Sequence, residues 1–463
     1  MTEKRHIRFW DLIGYAVVMN LGIRWLATAA AAGPASLPIW ILAALGFLAP
    51  LTIAASELVG RSDGEGAIYA WSRDAFGPLA GFMCGWIYWM SNLPYFSGLL
   101  FFVIEVISTA LPLDQRAAIQ SPHARVLAAC ALAILLLILN LFGLGKAKWL
   151  PIAGAAASIG LYVIVLSVGA VIGAHGASAT DFAHRTYLPP LDANGAILWS
   201  TMVFAYAGAE GLPLFRNEIE GGMPRLVRAM VFVCLLLVAA YLCGTVSMLS
   251  IMAPEQASRL SGLPEAISIG LGRVGLSGLA PAALMLLVAG SLGGYGAWFA
   301  AAARMPYAAG LDSALPPIFA KRDPRTGAPV AAMMLQTALV LVLVVISQLG
   351  ASVRAAYDFI IAMTVLSYTI PYLFLFGAFI KAQATPAPAG AWAAPGGARV
   401  AKIIGWVGLL VTLSAIICSF VPSPDAADQA GAVIKLLIAT AAMILSGAGL
   451  YALAAMRKPA PAQ

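Results

Sequence analysis

Met19-Asn20-Leu21-Gly22-Ile23-Arg24-Trp25 sits inside the first apolar run of the chain, residues 10–32, and places an amide, a glycine and a guanidinium where a membrane helix would bury them. An ionisable side chain at membrane depth costs about 3 kcal/mol or more on insertion scales, so it faces a cavity, a partner charge or a bound molecule. A second stretch of the same kind, Tyr206-Ala207-Gly208-Ala209-Glu210-Gly211-Leu212-Pro213, falls in the sixth apolar run, and Pro213 removes a backbone donor there. A helix opens its backbone inside a bilayer only where protein or a water-filled cavity supplies the missing hydrogen bonds. Both stretches are therefore read as helix interruptions. They fall in the first helix of each of two successive five-helix blocks, the relation expected of inverted repeats.

The composition excludes a water-soluble fold. Hydrophobic residues make up 61% of the 463 and charged residues 10%, with a mean hydropathy of +0.90, whereas a soluble domain carries about 25% charged residues. An all-α polytopic membrane protein is expected, with spans of about 20 residues set by the ~30 Å hydrocarbon thickness. The polar start from Met1 to Arg8 leads into an apolar stretch longer than a signal-peptide core, so a retained helix is expected. Nucleic acid is excluded as a partner, because the basic residues are spread over many short loops rather than gathered on one face. Cys84, Cys130, Cys234, Cys243 and Cys418 all lie in apolar runs, where a thiol behaves as a small hydrophobe. His6, His123, His175 and His184 fall in polar connections without metal-ligand spacing, so neither a metal nor a cofactor is expected.

Spans are expected near 10–32, 37–59, 78–110, 123–143, 149–173, 195–216, 226–252, 278–303, 328–348, 355–380, 402–421 and 432–456. Twelve spans bring both termini to one side. Of the 27 Lys and Arg residues, 19 fall on the side of the termini, seven on the other, and Arg24 alone remains. The positive-inside bias then makes both termini cytoplasmic in a cell inner membrane. No soluble domain is expected. The segment 61–77 has the composition of a short amphipathic helix at the inner interface or of an ordinary loop, and 381–401 reads as a flexible Pro/Ala/Gly connector.

Several motifs resemble those of the amino acid, polyamine and organocation (APC) superfamily, over nearly the whole length. Ser56-Glu57-Leu58, then Gly64-Glu65-Gly66-Ala67-Ile68-Tyr69-Ala70-Trp71 and Ala75-Phe76-Gly77-Pro78, resemble the family's connection between helices 2 and 3. Phe204-Ala205-Tyr206-Ala207-Gly208-Ala209-Glu210 resembles its broken helix 6, with Asn217-Glu218-Ile219 and Pro224 at the usual interval. Gly290-Ser291-Leu292-Gly293-Gly294-Tyr295 resembles helix 8 of arginine:agmatine-type antiporters, and Pro316-Pro317-Ile318-Phe319-Ala320-Lys321 with Thr326-Gly327-Ala328-Pro329-Val330 the loop that follows. Ser419-Phe420-Val421-Pro422 is similar to bacterial glutamate:GABA-type antiporters. The resemblance implies a LeuT-type fold of 12 transmembrane helices: an inverted 5+5 repeat over 10–173 and 195–380, plus two C-terminal helices within 402–456. It also implies a secondary transporter of amino acids or related amines, with substrate at the helix 1 and helix 6 breaks, by antiport or proton coupling.

The chain departs from that pattern in two places. Arg24 replaces the small Gly/Ser run of helix 1, and residues 149–173 contain none of the lysine that some members carry in helix 5. The expected substrate-binding residues are Gly22, Ile23, Arg24, Phe204, Tyr206, Ala207, Gly208 and Tyr295, with Tyr88 and Asn92 four apart on one face of helix 3. Glu210 is the expected proton-coupling or gating group, with a structural carboxylate that bonds the free amides of the broken helix as the other reading; the two can coexist. Arg24 either takes a substrate carboxylate, pairs with Glu210, or snorkels to the cytoplasmic surface; were it paired, an anionic substrate would compete for it and free Glu210 to take up a proton. Trp25 is read as packing. Glu57, Glu105 and Asp358, near span ends, are expected to meet water or interfacial partners. Two other readings stand beside this one. Sodium-coupled symport would need hydroxyls on helix 8, which residues 296–303 do not offer, and a transporter-like sensor would bind an amino acid without net flux. Hydrolase and nucleotide motifs are absent. The expected partners are a small-molecule substrate, the lipid bilayer and protons, and the oligomer is left open between monomer and homodimer.

Overall fold

The computed structural model describes residues 8–62, 67–112, 115–116, 119, 121–142, 149–215, 219–311, 315–347, 353–388, 390–422 and 428–457, with the backbone alone at 18, 214–215, 309–311, 347, 353–356 and 457. The expectations for residues 1–7, Gly64-Glu65-Gly66, Lys146, Lys148, Arg216, Asn217, Glu218 and Lys458 fall outside the described residues. In chain order the α-helices are α1 (Phe9–Asn20), α2 (Trp25–Ala31), α3 (Gly33–Arg61), α4 (Ile68–Phe76), α5 (Pro78–Ala110), α6 (Pro122–Leu141), α7 (Trp149–Ala174) and α8 (Ala193–Ala205). They continue with α9 (Gly222–Ile251), α10 (Gly262–Arg273), α11 (Ala280–Ala302), α12 (Arg304–Leu311), α13 (Val330–Ser347), α14 (Val353–Ala382), α15 (Gly397–Ser419) and α16 (Gln429–Arg457). α3 includes a 3-10 turn at Gly33–Ala35 and a wider π turn at Ala44–Leu48.

Nine helices among the described residues are long and apolar enough to cross a membrane. The expected spans 10–32 and 195–216 are each divided: α1 ends at Asn20 and α2 begins at Trp25, while α8 ends at Ala205 and a 3-10 segment, Ala209–Phe215, follows. Span 328–348 is occupied by a shorter apolar helix, Val330–Ile346.

Close helix approach sets the geometry around these divisions. α7 and α11 cross at Gly154 and Gly293, where a Cβ on either glycine would stand 2.6 or 2.5 Å from the other's Cα. Only hydrogen fits between two backbones at that range. The crossing anchors α11, and Trp298 follows little more than one turn later.

Three features depart from the sequence expectations. α10 lies in a connection read as loop; its Gly, Pro and Ser content hides a helix that buries Leu263, Ala266 and Ile267. The segment 61–77 does contain a helix, α4, and its first turns, Ile68 to Ser72, are buried in the protein while Phe76 at its end is 45% exposed. Glu57 is 1% exposed and does not meet water. Its Oε1 pairs with Arg61 at 2.7 Å and accepts from Gln383 Nε2 at 2.8 Å, while Oε2 accepts the Ala394 amide at 2.8 Å. Arg61 also donates to the carbonyls of Thr385 and Pro386. The connector expected to be flexible is thus tied to the end of α3. Glu105 pairs with Arg125 across α5 and α6 at 2.8 Å.

Removing one partner of a buried ion pair costs about 3–5 kcal/mol. Glu57→Ala is expected to lower the thermal midpoint of the detergent-solubilised protein by several degrees. Arg185→Ala, which deletes an ion pair whose two side chains are 47% and 60% exposed, should leave the midpoint unchanged.

Candidate functional site

The two divided helices expose peptide groups in the protein interior, and aromatic side chains from neighbouring helices take them up. At the end of α1, the Met19 carbonyl accepts from Trp298 Nε1 of α11 at 2.6 Å. The Asn20 carbonyl accepts from the Tyr241 hydroxyl of α9 at 3.1 Å, and the same hydroxyl accepts the Gly22 amide at 3.1 Å. That hydroxyl is also 3.0 Å from the Ala205 carbonyl at the end of α8. One phenol therefore serves both breaks. The Tyr241 ring is fixed by stacking on Trp40, with centroids 4.3 Å apart and planes 3° from parallel, and Trp40 is held by Thr245.

Glu210 caps the second break. Its Oε2 accepts the Gly208 amide at 2.9 Å, and Oε1 accepts from the hydroxyls of Tyr88 (2.9 Å) and Tyr372 (2.8 Å). Tyr368 donates in turn to the Tyr88 hydroxyl at 3.1 Å. The carboxyl group is buried, and its three donors come from α5, α14 and its own loop. A side-chain carboxylate placed among tyrosine hydroxyls is a group able to exchange a proton when water reaches it. Gly208 has φ +116°, and a Cβ there would collide with Asn20 Oδ1, so only glycine lets the loop pass so close to α1.

Arg24 does not reach Glu210, whose oxygens are taken by these three donors. Nor does it snorkel: it is 4% exposed, its guanidinium lies 4.4 Å from the Trp25 ring and 4.8 Å from the Tyr95 ring, and among the described residues Nη1 and Nη2 have no hydrogen-bond partner. Three cavities meet around this stack. A central cavity is bounded by Asn20, Gly22 and Trp25, by Asn92 and Tyr95 of α5, by Phe204 and Ala207, and by Trp298 and Tyr368. A second, between α2, α8 and the first turns of α14, takes in Arg24, Thr28, Ser200, Thr201, Arg259 and Asp358. The third runs beside Ile23 and Arg24 toward Ser158 and Ser291.

Of the residues expected from sequence, Gly22, Phe204, Ala207 and Asn92 line the central cavity, and Ile23 and Arg24 line the adjoining ones. Tyr88 goes to Glu210. Tyr206 is enclosed by Trp40 and Tyr241, and Tyr295 by Phe96 and Phe299; both hydroxyls are buried without a partner, and neither residue lines these three cavities. Trp298, one turn beyond Tyr295 on α11, is the aromatic at the cavity wall. Trp25, read as packing, divides the central cavity from the second and meets Phe204 edge-on at 5.4 Å. Sequence reasoning missed Tyr95, Tyr241, Trp298, Tyr368 and Tyr372. The one signal available was their number: five ring residues with polar tips, all in apolar helices.

Residues 7–448 match a family model described as Amino acid permease. A transporter of Legionella pneumophila described as uncharacterized is 26% identical over 429 residues, covering 91% of this chain and 90% of the relative. A probable agmatine/putrescine antiporter of Lactococcus lactis is 20% identical over 400 residues, covering 86% of this chain and 84% of the relative.

Two substitutions probe the breaks. Tyr241→Phe keeps the Trp40 stack but strands buried peptide groups, a loss of about 1–3 kcal/mol; a thermal midpoint below wild type with normal membrane insertion is expected. Gly208→Ala should insert normally and lose ligand-induced thermal stabilisation altogether.

Proposed function

The chain belongs to the amino acid permease family of the APC superfamily, and from that premise we propose that it is a secondary carrier that moves amino acids or related amines by alternating access around the two helix breaks. Family membership makes it a multi-pass membrane protein and supports transport over enzymatic activity. The mechanism proposed beyond this is exchange or proton-coupled movement, in a LeuT-type arrangement of twelve crossings: nine long apolar helices, Val330–Ser347 and the two interrupted helices. The inverted repeat proposed comprises 10–173 and 195–380, and the distribution of basic residues supports cytoplasmic termini in a bacterial-type cell.

The observation that carries this reading is the common anchoring of the Leu21–Arg24 and Tyr206–Gly208 breaks on Tyr241, directly beside the central cavity. Broken helices at the membrane midplane are how carriers present backbone polarity to a small zwitterion or amine. Phe204, Trp298 and Tyr368 supply apolar walls to such a ligand, and Asn20, whose Oδ1 is buried without a partner, supplies an acceptor for an ammonium group. Glu210 ties α5 and α14 to the second break, so a change in its protonation alters how three helices are held together. The words agmatine/putrescine antiporter, attached to one relative, support exchange and the inclusion of amines among the substrates. Sodium symport receives no such support, since residues 296–303 of α11 carry no hydroxyl.

Counterflow in proteoliposomes, screened over amino acids and their decarboxylation products across pH, tests the proposal. A labelled solute should accumulate against its unlabelled pool. Glu210→Gln should slow that exchange at least about tenfold, the loss expected for hydrogen bonds to a charged group, and flatten its pH dependence. Failure of every solute to exchange would contradict transport.

A further inference from the structure

Among the described residues, the Arg24 guanidinium is a buried cation whose Nη1 and Nη2 meet no hydrogen-bond partner. The Trp25 and Tyr95 rings hold the group by cation–π contact, which does not supply an oxygen acceptor to its N–H donors. Nη1 and Nη2, the two nitrogens that form a bidentate fork, are both buried, and no described residue accepts a hydrogen bond from either. Glu210 is taken by Tyr88, Tyr372 and Gly208. Asp358 stands in the cavity that Arg24 also lines, but Arg259 stands there too, so the cavity holds two cations against one carboxylate. A buried, uncompensated cation is strongly unfavourable unless something anionic arrives to meet it.

We infer that Arg24 is an anion-recognition residue: its fork receives the side-chain carboxylate of an acidic amino acid whose ammonium end occupies the central cavity, and its charge excludes dicationic amines. This rests on reading the chain as a carrier of amino acids or amines. The geometry suits a carboxylate because a guanidinium edge matches its two oxygens with parallel hydrogen bonds. Trp25 and Tyr95 border both the central cavity and the ones that Arg24 lines, so a single extended ligand passing this stack touches both. The stack also presets the guanidinium, so little side-chain freedom is lost when the anion binds.

Full-length protein in proteoliposomes is tested for counterflow of labelled glutamate, aspartate, leucine, agmatine and putrescine, with chloride present and with chloride replaced by isethionate. Wild type should exchange glutamate or aspartate in preference to leucine and at least about tenfold better than either diamine, without regard to chloride. Arg24→Gln should raise the KM for the acidic substrate at least about tenfold and relax the exclusion of diamines, and Arg24→Lys, which keeps the charge but not the fork, should fall between. Preference for diamines or neutral amino acids in wild type, or an unchanged KM in Arg24→Gln, overturns the inference while leaving transport intact. Exchange of neutral substrates that requires chloride assigns Arg24 to that ion and overturns it as well. If nothing exchanges, transport fails, and ligand-induced thermal stabilisation in detergent decides separately: stabilisation of wild type by glutamate or aspartate but not of Arg24→Gln supports the anion site, and no stabilisation overturns it.

Discussion

A peptide group opened inside a bilayer must find its hydrogen bond within the protein, and here the hydroxyl of Tyr241 answers that demand for both interrupted helices. The breaks at Leu21–Arg24 and Tyr206–Gly208 lie side by side because they share that oxygen. Trp298 takes the remaining Met19 carbonyl and Glu210 takes the Gly208 amide, so each opened group named here is met by a side chain rather than by lipid. Tyr241 and Trp298 sit on α9 and α11, which stacking on Trp40 and close approach at Gly154 and Gly293 hold in place. A cavity lined by backbone polarity and aromatic rings follows from that arrangement.

The two intramembrane charges are stabilised in different ways. Glu210 is embedded in hydroxyl and amide donors from three segments, which makes it part of the frame of the second break. Arg24 lies against the Trp25 and Tyr95 rings, and no described residue accepts from its Nη1 or Nη2. A structural charge is expected to be saturated and a binding charge to retain open valence. By that criterion Glu210 is a coupling and framing group on the proposed reading, and Arg24 faces the ligand. The same contrast separates Glu57, which is fully engaged and fixes the connector after α14, from the residues around the central cavity.

Glycine, asparagine and charge within an otherwise apolar run interrupt the pattern visibly, which is why the breaks at Gly22 and Gly208 were legible in the sequence. The rings that complete the site were not. Tyr241, Trp298, Tyr368 and Tyr372 stand in apolar helices where an aromatic residue packs far more often than it binds, and their polar tips acquire meaning only when a broken helix elsewhere in the chain comes beside them. Tyr295 misled for the same reason: local resemblance placed it at the cavity, but one turn of α11 turns Trp298 there instead and leaves Tyr295 between Phe96 and Phe299. The depth at which Glu57 is buried and the helicity of α10 were not legible, because burial at a helix end and helicity in a Gly/Pro/Ser-rich connection depend on long-range packing. Sequence periodicity carries no record of either.

The central claim is that the two breaks form one site reached alternately from each side of the membrane. Ala207 lines the central cavity at the second break. With Cys84, Cys130, Cys234, Cys243 and Cys418 replaced, a single cysteine at position 207 can be probed in oriented vesicles with a membrane-impermeant thiol reagent added to one face at a time. The account predicts labelling from both faces, with the two rates shifting in opposite directions when exchangeable solute is supplied on one side. Labelling from one face only, unaltered by any solute, would contradict it.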